Sequence, residues 1–501
     1  MKTMAHDLLT EPILSWRDTH RRRGMTTLPG LLARLATGEL GDFPRLRAHQ
    51  FHPWCMFLTQ LAAITLRRAG EADPRRSETE WRELLLGLTA GAHEPWCLVV
   101  DDFAKPGFFQ PPVPEGSIHD WRNCESPDDL DVVATAKIHD VKSGLISPQD
   151  CESWVYALTT LQTTQGYPGR GYHGIARMNG GYGNRPRVGL ASDQTLGRRF
   201  LRDIDVLLAS WASLLGRGYR SDGLALVWLQ PWDGREPLPT NELSPHFIEV
   251  CWRVRLASAG HNLSCHYTTT GARRCLPEIK NGDVGDPWIP VDRETGAALT
   301  VGARGFDYRL VARLLFGGDF EPAAAQLPRS GDGEPMLFVA SAMARGQGKT
   351  EGLHERTLML TGSARRKLGQ PEDRAAVALR ATGRVVAADK MRSKVLYPAL
   401  KQIALGDTVV AGQFDARIDQ MFFDHLFATI DLPEDEARLA FDARAQDLAW
   451  DELQHAIDRC CVPDARRLRA ISEAERMFHA CLGKNFPDLA AAHSATERVS
   501  S

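Results

Sequence analysis

The chain has 501 residues, 43% hydrophobic and 25% charged, the proportions of a globular protein with ample length for a large core. Sixty Lys and Arg against 63 Asp and Glu leave a formal net charge of −3, so overall charge points to no polyanionic partner and any such role would need a local basic patch. No run approaches the roughly 18 apolar residues of a membrane span, and the start, broken by Asp7, Glu11 and Pro12, does not read as a secretory signal. Ten cysteines without a CxxC pair predict buried thiols in a reducing cytoplasm, not a disulfide scaffold or a zinc knuckle.

In chain order, a Thr-Thr-Leu-Pro turn opens a short amphipathic helix over 26–38 that stops at Gly38. Residues 51–69 predict a buried helix with Phe57, Leu58, Leu61 and Ile64 at helical spacing and Arg67 and Arg68 in its last turn. Trp81 to Leu88 predicts another. Residues 101–130 set Phe103, Phe108 and Phe109 among prolines, an irregular connection. A helix over 152–164 leads into a segment, 166–186, with seven glycines in 21 residues. After a helix over 194–217 come short strand-like runs across 222–310, and the apolar run 336–343 predicts a central strand. From Pro371 the pattern turns helical: 373–405, 412–430, 434–459 and 463–482, separated by Gly406, Leu432-Pro433 and Val462-Pro463. The fold class expected is α+β, a large mixed domain over 1–368 followed by a four-helix bundle over 369–501.

Three segments could carry chemistry. Gly348-Lys349-Thr350 ends like a phosphate-binding loop, but Met343 stands where that motif needs a glycine and Gly352 falls where its helix should begin. The same segment can be a surface turn, or a loop whose glycines bring backbone close to nucleic acid while Arg345 and Lys349 supply charge and Gln347 a flat amide. The glycine-rich segment interleaves Tyr167, Arg170, Tyr172, Arg177, Asn179, Tyr182 and Arg185, which suits nucleic-acid contact and equally a long structural loop. Residues 135–144 present Lys137, His139 and Lys142 to phosphates, with Asp140 able to orient His139, or form a solvated loop. His49 with His52, and His261 with Cys265 and His266, lack further ligands at metal spacing. Asp101-Asp102 has no partner for magnesium, and no nucleophile or metalloprotease motif occurs. The residues read as a binder, not a catalyst.

Taken together, the motifs resemble the large subunit, CasA, of the type I-E CRISPR surveillance complex Cascade. The resemblance rests on TTLPGLLARLATGELGDFPRLRAHQFHPW, LDVVATAKIHDVKSG, WVYALTTLQTTQGYPGRGYHGIARMNGGYGNRP and ARGQGKTEGLHER in that order, and on the helical C-terminal part. It implies a cytoplasmic, non-enzymatic subunit of an antiviral ribonucleoprotein with no cofactor. Its implied partners are the guide RNA 5′ handle, target double-stranded DNA, the other Cascade subunits and a helicase–nuclease, and no membrane. In that family the subunit recognises the protospacer-adjacent motif and helps start strand separation, while guide pairing reads the remaining sequence, and the resemblance implies the same role here. By this resemblance Gly169, Arg170 and Gly171 approach the motif and Lys280 reaches the minor groove. Gly346, Gln347 and Gly348 match the wedge, with Gln347 inserted, and Lys349 beside them contacts DNA. Lys137, His139, Asp140 and Lys142 meet the RNA handle. Some members bind zinc through paired CxxC motifs; Cys151, Cys265 and Cys275 offer no such set, so no metal is expected. The alternative from another class is a nucleotide-binding enzyme using Gly348-Lys349-Thr350.

Overall fold

A computed structural model describes residues 4–130, 150–179, 183–193, 195–259, 262–346, 349–403, 408–459 and 464–489. Helices and short sheets are mixed in the first part of the chain and helices alone fill the last, an α+β architecture. Internal packing divides the chain into two units, Met1–Gly305 with Phe320–Met359, and Phe306–Asp319 with Leu360–Ser501.

The larger unit is organised around the helix Ala48–Ala69, which buries residues on every side and stops where Gly70 turns left-handed (φ +73°) and gives its N–H to the last carbonyls. Aromatic rings surround it. Trp54 lies 5.1 Å edge-on from Tyr156, and Phe57 lies 5.7 and 5.2 Å from Phe108 and Phe109. The prolines of 101–130 thus steer two phenylalanines into the core without regular structure. Beside it runs Cys151–Thr164, a helix buried almost throughout despite its threonines. Thr159, Thr163 and Thr164 return their hydroxyls to carbonyls one turn back at 2.6–2.8 Å, so each arrives in the core already satisfied. Gln162 does the same for two loops. Its amide donates to the carbonyls of Phe109 and Trp252 at 3.0 Å and accepts from the N–H groups of Cys251 and Trp252 at 2.8 and 2.9 Å.

Two three-stranded sheets bear on function. In one, Arg253–Ala259 pairs with Asn262–Thr268, which pairs with Arg122–Cys124. In the other, Met336–Gly346 is the central strand, as expected, between Arg187–Ala191 and Lys349–Leu360. After Thr350 the chain therefore continues as a strand, not as the helix that a phosphate-binding loop requires. The strand–loop–helix geometry on which the nucleotide-binding alternative drew is thus not present after Thr350.

The second unit contains the expected helices. Residues 373–405 form Pro371–Lys390, a widened turn over Met391–Leu396 and Tyr397–Gln402, with Pro398 just beyond that turn. Pro398 has no N–H and its ring crowds the carbonyl four residues back, so the helix locally widens instead of breaking. Thr408–Ala428, Glu434–Asp458 and Asp464–Asn485 follow. The unit also takes in Tyr308–Leu315, a helix from well upstream. Its Tyr308 N–H donates to Asp419 at 2.6 Å, its ring packs 4.9 Å from Phe422, and Arg309 bonds Asp389 and Asp415 at 2.5 and 3.0 Å.

Two core histidines make the larger unit sensitive to acid. Burial holds His52 down at about 3 and His246 at about 4, against 6.5 when free. Each bonds a backbone carbonyl through Nε2, His52 to Arg185 at 3.3 Å and His246 to Leu207 at 2.9 Å. The folded state binds fewer protons than the unfolded one below about pH 6.5, so stability is complete above that value and falls as pH is lowered through it. We expect the unfolding midpoint to drop steeply between about pH 6.5 and 4.5, each histidine contributing up to ~1.4 kcal/mol per pH unit. His246→Gln should flatten that slope in pH-dependent urea melts; an unchanged slope would show that this ring charges freely.

Candidate nucleic-acid interface

The glycine-rich segment leaves the buried helix as a closed loop. Ile175 donates to the carbonyl of Gln165 at 2.9 Å, and Gly174 lies so close to the Gly166 backbone that a Cβ would collide with it. At the tip, Tyr172 donates to the carbonyl of Gly169 at 3.1 Å, making a tight turn in which Gly171 is left-handed (φ +83°). Arg170 is exposed at the apex, and a Cβ on Gly169 would meet nothing within 4 Å. The turn stands on aromatic rings: Tyr172 stacks 4.4 Å from Trp252, and Tyr267 lies 5.7 Å from Trp252. Arg122 reaches the Tyr172 hydroxyl at 3.4 Å. Nothing in the sequence connects Trp252, Tyr267 and Arg122 to the glycines; strand pairing sets Tyr267 opposite Arg122, far apart in the chain.

The other arginines of the segment are not available to a ligand. Arg177 is 3% exposed and Arg185 is 1% exposed. Arg177 pairs with Glu249 and, at 2.9 Å, with Asp286; Arg185 reaches the same Asp286 at 2.5 Å and Gln60 at 3.1 Å. Glu249 also accepts the Ala176 N–H at 2.8 Å. Burial pulls the Arg185 guanidinium down to about 10, Asp286 opposing it. At Arg177 burial is outweighed by Glu249 and Asp286, which leave it raised. The expectation that Arg177 and Arg185 face nucleic acid is therefore corrected. They anchor the loop to the core, and Arg170 is the arginine of this segment left at the surface.

Lys280 is exposed, and its loop lies against the glycine-rich segment. Thr270 donates to the Gly171 carbonyl at 2.8 Å, and the Thr269 methyl would lie 3.0 Å from a Cβ on Gly171. The His173 ring bonds the backbone of Gly271. Two residues past Lys280, Gly282 turns left-handed (φ +80°), and a Cβ there would lie 2.7 Å from the backbone of Met178. Residues 269–271 thus contact the glycine turn, and Gly282 packs on Met178 further along the same segment, with the exposed Lys280 between these two contacts in sequence.

Gly346 ends one strand of the long hairpin and Lys349 begins the other. The last pairing with the neighbouring strand is Ser341 opposite Arg187, so residues 342–346 run about 16 Å further, past the end at which the glycine-rich segment enters the sheet. Gln347 and Gly348 lie outside the described residues, as do Lys137, His139, Asp140 and Lys142. Among the described residues no three His, Cys, Asp or Glu side chains gather as metal ligands. Cys265 sits directly across a strand pair from Cys124, and Cys275 is buried elsewhere in the core. No helix of the described residues is long and apolar enough to cross a membrane.

No protein-family model and no curated protein matches the sequence. Solved structures do match, over nearly the full length. The CRISPR-associated protein Cse1 of Acidimicrobium ferrooxidans is 16% identical, with a TM-score of 0.60 over 97% of this chain and 99% of that one. Thermus thermophilus CasA (Cse1) is 13% identical, with a TM-score of 0.64 over 96% of this chain and 100% of that one. Thermobifida fusca Cse1 is 13% identical, with a TM-score of 0.60 over 96% and 98%. From end to end, this chain has the fold of the Cse1/CasA proteins.

Proposed function

We propose that the chain is the non-catalytic large subunit of a type I-E CRISPR surveillance complex. In this reading Gly169, Arg170, Gly171 and Lys280 read the protospacer-adjacent motif, and the hairpin end from Gly346 to Lys349 opens the first base pair. Residues 137–142 meet the guide RNA handle, and the assembled subunit docks a helicase–nuclease. The observation that carries the reading is the Gly-Arg-Gly turn with Arg170 exposed at its apex, buttressed by Thr269 and Thr270 of the segment that runs on to the exposed Lys280, while Arg177 and Arg185 are committed to the core. A bare backbone turn with one or two cations suits the minor groove, whose degenerate pattern permits only relaxed recognition. Similarity of fold to Cse1 proteins over 96–97% of the chain supports the assignment.

The test compares duplex with single-stranded target in the assembled complex. Lys280→Ala and Gly169→Asp should each weaken duplex binding by on the order of 1–3 kcal/mol and leave single-stranded target nearly unaffected. Gly169 is the better of the two glycines to change. Both glycines have positive φ (+157° and +83°) and either change strains the backbone, but the Cβ position at Gly169 is open, whereas a side chain on Gly171 also meets Thr269. Equal losses on both targets would remove these residues from motif reading.

A further inference from the structure

Arg273 commits its guanidinium to the backbone just ahead of Lys280. Its Nε donates to the carbonyl of Cys275 at 3.1 Å, and one Nη donates to the carbonyls of both Leu276 and Ile279. Leu276 is left-handed (φ +51°), and its carbonyl also accepts the Ile279 N–H at 3.1 Å. Residues 275–279 therefore close a turn with three carbonyls aimed at one side chain. A leucine is strained in that region of backbone space and stays there only where its surroundings impose it. Charge-assisted bonds from a planar guanidinium are strong enough to do so.

The root of this turn is fixed to the core. Leu238 donates to the Arg274 carbonyl at 2.7 Å and accepts the Leu276 N–H at 2.8 Å, and Arg274 donates to the carbonyls of Glu236 and Pro231 at 2.8 and 3.2 Å. On its outer side Glu278 accepts the Thr240 N–H at 2.9 Å and the Thr240 hydroxyl. Arg273 also faces the glycine-rich segment. The His173 ring, bonded to the backbone of Gly271, is held down by burial and then by the charge of Arg273. One half-buried side chain thus stands beside the glycine-rich segment and holds the carbonyl of Ile279, and the exposed Lys280 is the next residue.

We propose that Arg273 is a positioning residue for Lys280, fixing where the lysine leaves the surface so that it meets a DNA duplex with its backbone already ordered. The inference rests on the motif-reading role proposed for Lys280, and Arg273 itself touches no DNA in it. A lysine on a loose loop loses backbone and side-chain freedom on binding, whereas one on a braced loop loses only that of its side chain. In the assembled complex, Arg273→Gln should weaken duplex binding about fivefold or more and leave single-stranded target nearly unaffected. The measurement that separates positioning from a structural role is a cycle with Lys280→Ala. Once the lysine side chain is gone, Arg273→Gln should weaken duplex binding no further, whereas general loosening or a direct DNA contact of Arg273 would act equally in both backgrounds. Arg273→Lys keeps the charge but loses the planar fork that bonds three carbonyls. It should show the same pattern at about threefold or more, and it decides alone if Arg273→Gln does not fold or assemble. Additive losses in the cycle, or wild-type duplex binding by Arg273→Lys, would overturn the inference and leave the role of Lys280 intact. Wild-type duplex binding by Lys280→Ala would instead sink the motif-reading role, and this inference with it.

Discussion

Asp286→Ala is expected to destabilise the larger unit by ~3–5 kcal/mol, enough to unfold a marginally stable chain. Asp286 is the carboxylate shared by Arg177 and Arg185, and all three side chains are at most 4% exposed. Removing it leaves two guanidinium groups facing one another in the core with Glu249 as the remaining acid beside Arg177. The loss should be partly recovered by adding Arg185→Met, because the second change removes one of the two stranded charges while keeping apolar bulk. Urea unfolding of the single and double variants measures this directly. A loss below about 1 kcal/mol would mean that water reaches the arginines, and the network would then not be what holds the glycine turn in place.

Gln347→Ala is expected to slow R-loop formation by on the order of tenfold or more while leaving the first association with duplex nearly intact. Unstacking a base step costs a few kcal/mol, so a side chain inserted at the fork must hold the opened state and not merely touch the groove. The expectation rests on the proposed function and on the position of Gln347 between the end of one hairpin strand at Gly346 and the start of the next at Lys349. A duplex carrying mismatches beside the motif should restore the rate, since nothing is left to open. If the variant is equally slow on that bubbled substrate, the wedge lies elsewhere in the hairpin and Lys349 becomes the residue to test.

Much of the fold was legible locally. Helical periodicity and caps located Ala48–Ala69, Cys151–Thr164 and the C-terminal helices to within a few residues, and an apolar run bounded by turn residues located the central strand Met336–Gly346. These elements depend on neighbours three or four positions away on a helix or on alternate positions of a strand, which a single sequence displays. The glycine turn was legible for the same reason, because Gly171 at φ +83° is a local backbone requirement.

The roles of the charged residues were decided by tertiary structure. Arg170, Arg177 and Arg185 look alike in the sequence, as basic residues among glycines. Glu249 and Asp286 take two of them into the core and leave the third at the surface. Likewise Gly348-Lys349-Thr350 resembles a phosphate-binding loop until strand pairing carries the chain on as a hairpin, and Tyr308–Leu315 reveals its place in the helical unit only through Asp419, Asp389 and Asp415. Periodicity reports which face of an element is apolar. Whether a buried charge is stable depends on a counter-charge brought within about 3 Å, and that partner can come from anywhere in the chain.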